Sequence, residues 1–139
     1  MKEYELSGQD FSLILEPKVF EDEVHLPTNT LMKVRVESAG FAGNSVFDVD
    51  AKALGRMALA LDEMYETLKG ETEIQEPYGF EQFLRFVGNG RGQIWVTGFL
   101  CGGFQGLDTQ QLRFENATDQ TCLRSFAREL REDFAKYVK

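Results

Sequence analysis

The chain has 139 residues, 42% of them hydrophobic and 27% charged, the size and balance of one folded domain with a buried core, which argues against intrinsic disorder. No apolar run approaches the roughly 18 residues of a membrane span, and Met1-Lys2-Glu3-Tyr4-Glu5 opens on polar residues with no apolar signal core, so a cytoplasmic location without a membrane partner is expected. The net charge of −8 argues against nucleic acid as a partner, because phosphate contacts need a basic face.

Tyr4 and Leu6 predict a short first strand, and Phe11, Leu13 and Leu15 mark one face of a second. Pro17 and Pro27 bound a loop that carries the acidic run Glu21-Asp22-Glu23. Met32, Val34 and Val36 alternate with Lys33, Arg35 and Glu37, the pattern of a strand with one buried and one wet face. The segment Gly40-Phe41-Ala42-Gly43-Asn44 reads as a turn or bulge, and residues 45–49 as a short strand.

A helix is predicted from an Asp50 N-cap to about Lys69, with Gly70 as its C-terminal cap. Ala51, Leu54, Ala58, Leu61, Tyr65 and Leu68 form its apolar stripe, widened by Met57 and Met64. Gly55 inside it costs about 1 kcal/mol relative to Ala and points to close packing of helix on sheet. Four strands follow at 72–76, 80–87, 93–101 and 110–116, the middle two joined by an Asn89-Gly90 hairpin. A last helix spans about 120–137, capped by Thr118 or Asp119, with Leu123, Phe126, Ala127, Leu130, Phe134 and Tyr137 as one stripe. On its exposed line Arg128 can meet Glu132, and Glu132 can meet Lys136. No internal sequence repeat or linker is evident. The expected architecture is a single α+β domain over 1–139: a meandering antiparallel β-sheet with two amphipathic helices packed against it.

Reactive constellations are absent from this pattern. His25 is the only histidine, so a catalytic triad has no spare base and imidazole pairs cannot hold a metal; it is expected at the surface. Cys101 and Cys122 belong to no CxxC or Cys/His cluster and are expected to be free. Segment 88–92 lies between strands, whereas phosphate cradles lead into helix N-termini, so it is a hairpin turn; 102–106 meets the same objection. Glu71, Glu73 and Glu76 flank a strand and suit a hard cation less well than a solvated face. Neither a metal nor a cofactor is expected. Trp95, Thr97 and Phe99 share one strand face, opposite Ile94 and Val96. That face is either core or an exposed contact patch, and core is the expectation.

The charge is uneven. Residues 1–81 hold 17 acidic and 7 basic side chains, and residues 82–139 hold 6 and 8. An acidic surface suits a basic partner, and plain solubility is the simpler reading of it. Two exposed acidic groups are singled out as candidate partner contacts: the loop Glu21, Asp22, Glu23 and the helix face Asp62, Glu63, Glu66.

Several motifs together resemble a known family. Phe41-Ala42-Gly43 precedes a helix ending in Leu68-Lys69-Gly70-Glu71. A hairpin strand reads Arg91-Gly92-Gln93-Ile94-Trp95-Val96-Thr97-Gly98, and Gln111-Leu112-Arg113-Phe114 leads into Asp119-Gln120-Thr121-Cys122-Leu123-Arg124-Ser125-Phe126. Over roughly 40–135 this pattern resembles the WapI-type immunity protein family, small bacterial proteins associated with polymorphic toxins. The resemblance implies a role without catalysis or cofactor, in which the chain binds the toxin domain of its cognate effector and blocks it. Many such toxins attack nucleic acid and are basic, which an acidic inhibitor would match. Two other readings stand beside it. One is a small-molecule-binding domain or minor enzyme with a pocket near 102–106, and the other an assembly subunit using the Trp95 and Phe99 face. Oligomeric state is not legible from the sequence.

Overall fold

The computed structural model describes residues 2–78, 81–102 and 110–138. In chain order it contains β1 (Tyr4–Gly8), β2 (Phe11–Val19), β3 (Thr30–Ser38), β4 (Phe41–Val49), α1 (Ala51–Thr67), β5 (Lys69–Gln75), β6 (Phe83–Asn89), β7 (Gln93–Gly102), β8 (Gln110–Asp119) and α2 (Gln120–Phe134). The class is α+β, and every strand pair is antiparallel. The strands divide between two four-stranded meanders, β1-β2-β3-β4 and β5-β6-β7-β8. Each meander is followed by a helix, so the order ββββα occurs twice although the sequence carries no repeat. Each helix also starts the same way. Asp50 accepts from the Lys52 N–H and Asp119 from the Cys122 N–H, an Asp cap directly after a strand. The Thr121 hydroxyl also donates to Asp119, at 2.6 Å, and with the Cys122 bond holds that carboxyl below its ordinary range.

Several element boundaries depart from the sequence reading. β2 runs on through Pro17 to Val19. Beyond Leu15 it has no β1 partner, so a ring nitrogen without a donor is tolerated there. The turn before β4 is Ala39-Gly40, and Phe41 to Asn44 belong to the strand, paired with β3. Helix α1 stops at Thr67 because Leu68 is left-handed, with φ 63°, and its N–H reaches the Met64 carbonyl. Gly70 is therefore not the cap but a residue of β5, at φ 106°. Gly55 does permit a close approach, but to the end of α2. A Cβ there would stand 2.6 Å from the Phe134 carbonyl oxygen and 2.5 Å from Val138 Cγ2.

One hydrophobic cluster joins the inner faces of both sheets to the stripes of both helices. It includes Leu6, Leu13, Val34 and Phe47 from the first sheet, Phe86, Val96 and Phe114 from the second, and Leu54, Leu61, Phe126 and Leu130 from the helices. The ring of Phe126 lies 6.2 Å from that of Phe86, and the ring of Tyr4 lies 5.8 Å from that of Phe134. Polar bonds fasten sheet to sheet. Thr118 donates to the Ser7 carbonyl at 3.0 Å, and Ser38 donates to Asn116 at 2.6 Å.

The most connected of these fasteners is Gln82, which is only 1% exposed. Its Oε1 accepts from the Ser45 hydroxyl of β4 and from the Cys101 N–H of β7 at 2.8 Å. Its Nε2 donates to the Val46 carbonyl at 3.1 Å and to Glu76 at 2.9 Å. Glu76 in turn accepts from the Asp48 N–H at 2.8 Å. One buried side chain thus closes the seam between β4, β7 and the end of β5.

Candidate partner-binding surfaces

The acidic run Glu21-Asp22-Glu23 forms a 3-10 turn, and all three side chains are exposed. Its placement depends on Asn29, which is 2% exposed. The Asn29 amide donates to the carbonyls of Val24 and Leu26 at 3.2 Å and to Asp50 at 3.1 Å. Its Oδ1 accepts from the Ala51 N–H and the Thr30 hydroxyl, each at 2.8 Å. The turn is therefore clamped to the first residue of α1. On its other flank Tyr137 donates to Glu21 at 2.6 Å.

Burial, then the Glu21 hydrogen bond and charge, push the Tyr137 hydroxyl up to about 12 from the ordinary 10.0. A tyrosine whose folded value is raised contributes stability in full below pH 10, and loses it as the pH rises to about 12. Glu21 is exposed, so the contribution is on the order of 1 kcal/mol. Equilibrium unfolding should show wild type losing that margin over Tyr137→Phe between about pH 10 and 12. A margin that persists to pH 12 would break the assignment.

The helix group is less uniform than its spacing suggests. Glu63 and Glu66 are exposed. Asp62 is turned toward α2, with a side chain 17% exposed, and forms an ion pair with Arg131. The two acidic groups lie at opposite ends of α1. The turn sits by Asp50, and Asp62 follows about 18 Å further along the axis at 1.5 Å per residue. On α2, Arg124, Arg128, Glu132 and Lys136 are exposed as expected. The pairs Arg128–Glu132 and Glu132–Lys136 do not form among the described residues; Arg124 instead lies 5.8 Å from the Tyr65 ring.

Glu71, Glu73 and Glu76 do not converge on one point. Glu71 pairs with Arg85, Glu73 points outward, and Glu76 serves the Gln82 network. Among the described residues no group of three or more His, Cys, Asp or Glu is placed to hold a metal ion. His25 is exposed, and Cys101 and Cys122 are free, the first buried. No helix among the described residues is long and apolar enough to cross a membrane.

The second sheet corrects the expectation for Trp95. Ile94 and Val96 face the core, whereas Trp95 is 39% exposed on the outer face. The register sets Glu71, Val87, Trp95 and Ala117 in one row across the four strands, and Glu73, Arg85, Thr97 and Glu115 in the next. In the third row Phe99 is buried beneath Arg113, whose guanidinium lies 4.2 Å from the ring centroid. Alternation distinguishes two faces of a strand; it does not tell which one the helices cover.

Of the pocket expected near 102–106, positions 103–106 lie outside the described residues. Gly102 itself lines an open depression of about 420 Å³ between β4 and the β7–β8 pair, together with Asn44 and Leu112. The sequence reading missed Gln82, Asn29 and Ser45. Gln82 and Ser45 are made interior by partners distant in sequence, and Asn29 by its own loop together with Asp50 and Ala51, so no local pattern flags them.

A model of the Immunity protein WapI-like family matches residues 6–138. No curated protein and no solved structure matches the chain.

Proposed function

The chain belongs to the WapI-like immunity protein family, and from that premise we propose that it neutralises a cognate, basic toxin domain by direct contact in the cytoplasm. The match over residues 6–138 carries this reading. The net charge of −8 supports the choice of a basic partner. The chain acts by occupying the toxin domain and performs no catalysis of its own.

Glu21, Asp22, Glu23, Asp62, Glu63 and Glu66 are the residues proposed to draw the partner in. Glu21 and Asp62 already have internal partners, which leaves Asp22, Glu23, Glu63 and Glu66 to act at longer range. Charges of this kind raise the rate of encounter more than they slow dissociation. Neutralising those four together (D22N, E23Q, E63Q, E66Q) should lower the association rate about tenfold at low salt, with little change in the dissociation rate. Stopped-flow or surface-based kinetics at two salt concentrations read this directly.

The decisive experiment is co-expression with the toxin domain encoded beside the gene. Cells carrying both should grow, and cells carrying the toxin alone should not. Growth arrest with both present, or the lack of any neighbouring toxin, removes the reading.

A further inference from the structure

We infer that the contact surface for the toxin domain is the open outer face of the second sheet, anchored by Trp95. The inference rests on the reading of the chain as a toxin-binding protein and adds the place where binding energy is concentrated. The two helices pack on the inner faces, and among the described residues the outward positions around Trp95 and around Lys33 and Arg35 are exposed. The two outer faces differ in chemistry.

On the first sheet the outward positions interleave Lys33 and Arg35 with Glu16, Glu37 and Asp48, and Arg35 is paired with Glu3. Acidic and basic side chains are interspersed there, and no large aromatic stands at the centre as an anchor. On the second sheet the centre is an exposed indole, with Val87 beside it and the stacked Phe99–Arg113 pair at one end. Trp and Arg are the residue types enriched where binding energy concentrates.

In the three rows around the indole Glu71, Glu73 and Glu115 outnumber Arg85 and Arg113, an excess of acid that favours a cationic partner. The Arg85 charge is taken by Glu71. Glu73 on β5 and Glu115 on β8 have no cation within 4 Å among the described residues. Adjacent strands are about 4.8 Å apart and same-face neighbours on a strand about 6.8 Å, which places the Glu115 backbone about 8 Å and the Glu73 backbone about 12 Å from that of Trp95, one on each side. An apolar anchor between unpaired carboxylates complements a protein surface that presents an apolar contact flanked by Arg or Lys. An arginine there can also stack on the indole.

Trp95 is the sole tryptophan, so it supplies its own probe. In ¹⁵N-labelled protein the single indole N–H signal should shift and become protected when the purified neighbouring toxin domain is added. Trp95→Ala should stay folded with a melting temperature only a few degrees below wild type, because the side chain lies outside the core and the loss is limited to cross-strand packing. It should weaken binding at least about 30-fold, mainly through faster dissociation. Trp95→Phe should recover most of that loss, and the double variant E73Q/E115Q should weaken binding without unfolding the chain.

Wild-type binding that is unchanged in Trp95→Ala overturns the surface assignment and leaves the proposed function intact. No binding by wild type overturns both. A concentration-dependent dimer that disappears in Trp95→Ala assigns the face to a second copy of the chain and also overturns the inference.

Discussion

Replacing Gln82 with Leu is expected to destabilise the fold by about 3–5 kcal/mol, among the larger effects of a single substitution. Leucine fills nearly the same volume, so a cavity contributes little. The loss comes from polar groups left inside without partners. The Cys101 N–H loses its acceptor, the Val46 carbonyl and Glu76 lose a donor, and the Ser45 hydroxyl keeps only the Cys101 carbonyl at 2.9 Å. Each buried group abandoned in this way costs about 1–3 kcal/mol. Gln82→Glu should also be destabilising, since it sets a second carboxylate against Glu76 and removes the donor to Val46. Urea unfolding measures both variants. A loss below about 1 kcal/mol for Gln82→Leu would mean that the seam between the sheets tolerates unpaired groups, against the general rule.

Phe126→Ala is expected to cost a similar 3–5 kcal/mol by a different route. Phe126 is fully buried, and its ring sits against Phe86 of β6. Truncation removes the ring that meets Phe86 and leaves a void between α2 and β6. In a chain of this size the melting temperature should fall by roughly 10–15 °C. Phe126→Leu should recover more than half of the loss. Equal destabilisation by Leu and Ala would show that the site demands a ring and not merely volume.

These two residues also mark the limits of what the sequence discloses. Phe126 stands in a run with three- and four-residue spacing, so its burial follows from helical period alone. The same holds for Met32, Val34 and Val36, where alternation names the buried face. Gln82 follows an exposed Glu81 and reads as surface. It becomes interior only because Ser45, Val46 and Cys101 meet it from two other strands, between 19 and 37 residues away. The division into two sheets escaped notice for a related reason. Hairpin signals tell which neighbours pair, but α1 interrupts the series, and nothing local says whether β5 rejoins β4 across it.

The candidate site was legible in a similar, partial way. Acidic spacing placed Glu21, Asp22, Glu23, Glu63 and Glu66 at the surface, where they are. It could not anticipate that Asp62 would pair with Arg131, 69 residues on. For Trp95 the core expectation fails in favour of the exposed alternative, because a strand with large residues on both faces gives no sign of which side the helices take. Gly55 is a point of close approach, but to the end of the other helix and not to a sheet, a pairing set by tertiary packing.

The twice-used ββββα order has a consequence for synthesis. Each strand pairs with its immediate neighbour in the chain, so the first meander can zip up from local hairpins as soon as it leaves the ribosome. Its inner surface is another matter, because β7, β8 and α2 supply the contacts that close over it. At typical elongation rates those elements follow on the order of several seconds later. During that interval Leu6, Leu13, Val34 and Phe47 face water or a chaperone. A nascent chain stalled before residue 110 would display a finished sheet with an unfinished interior, the kind of intermediate from which aggregation starts.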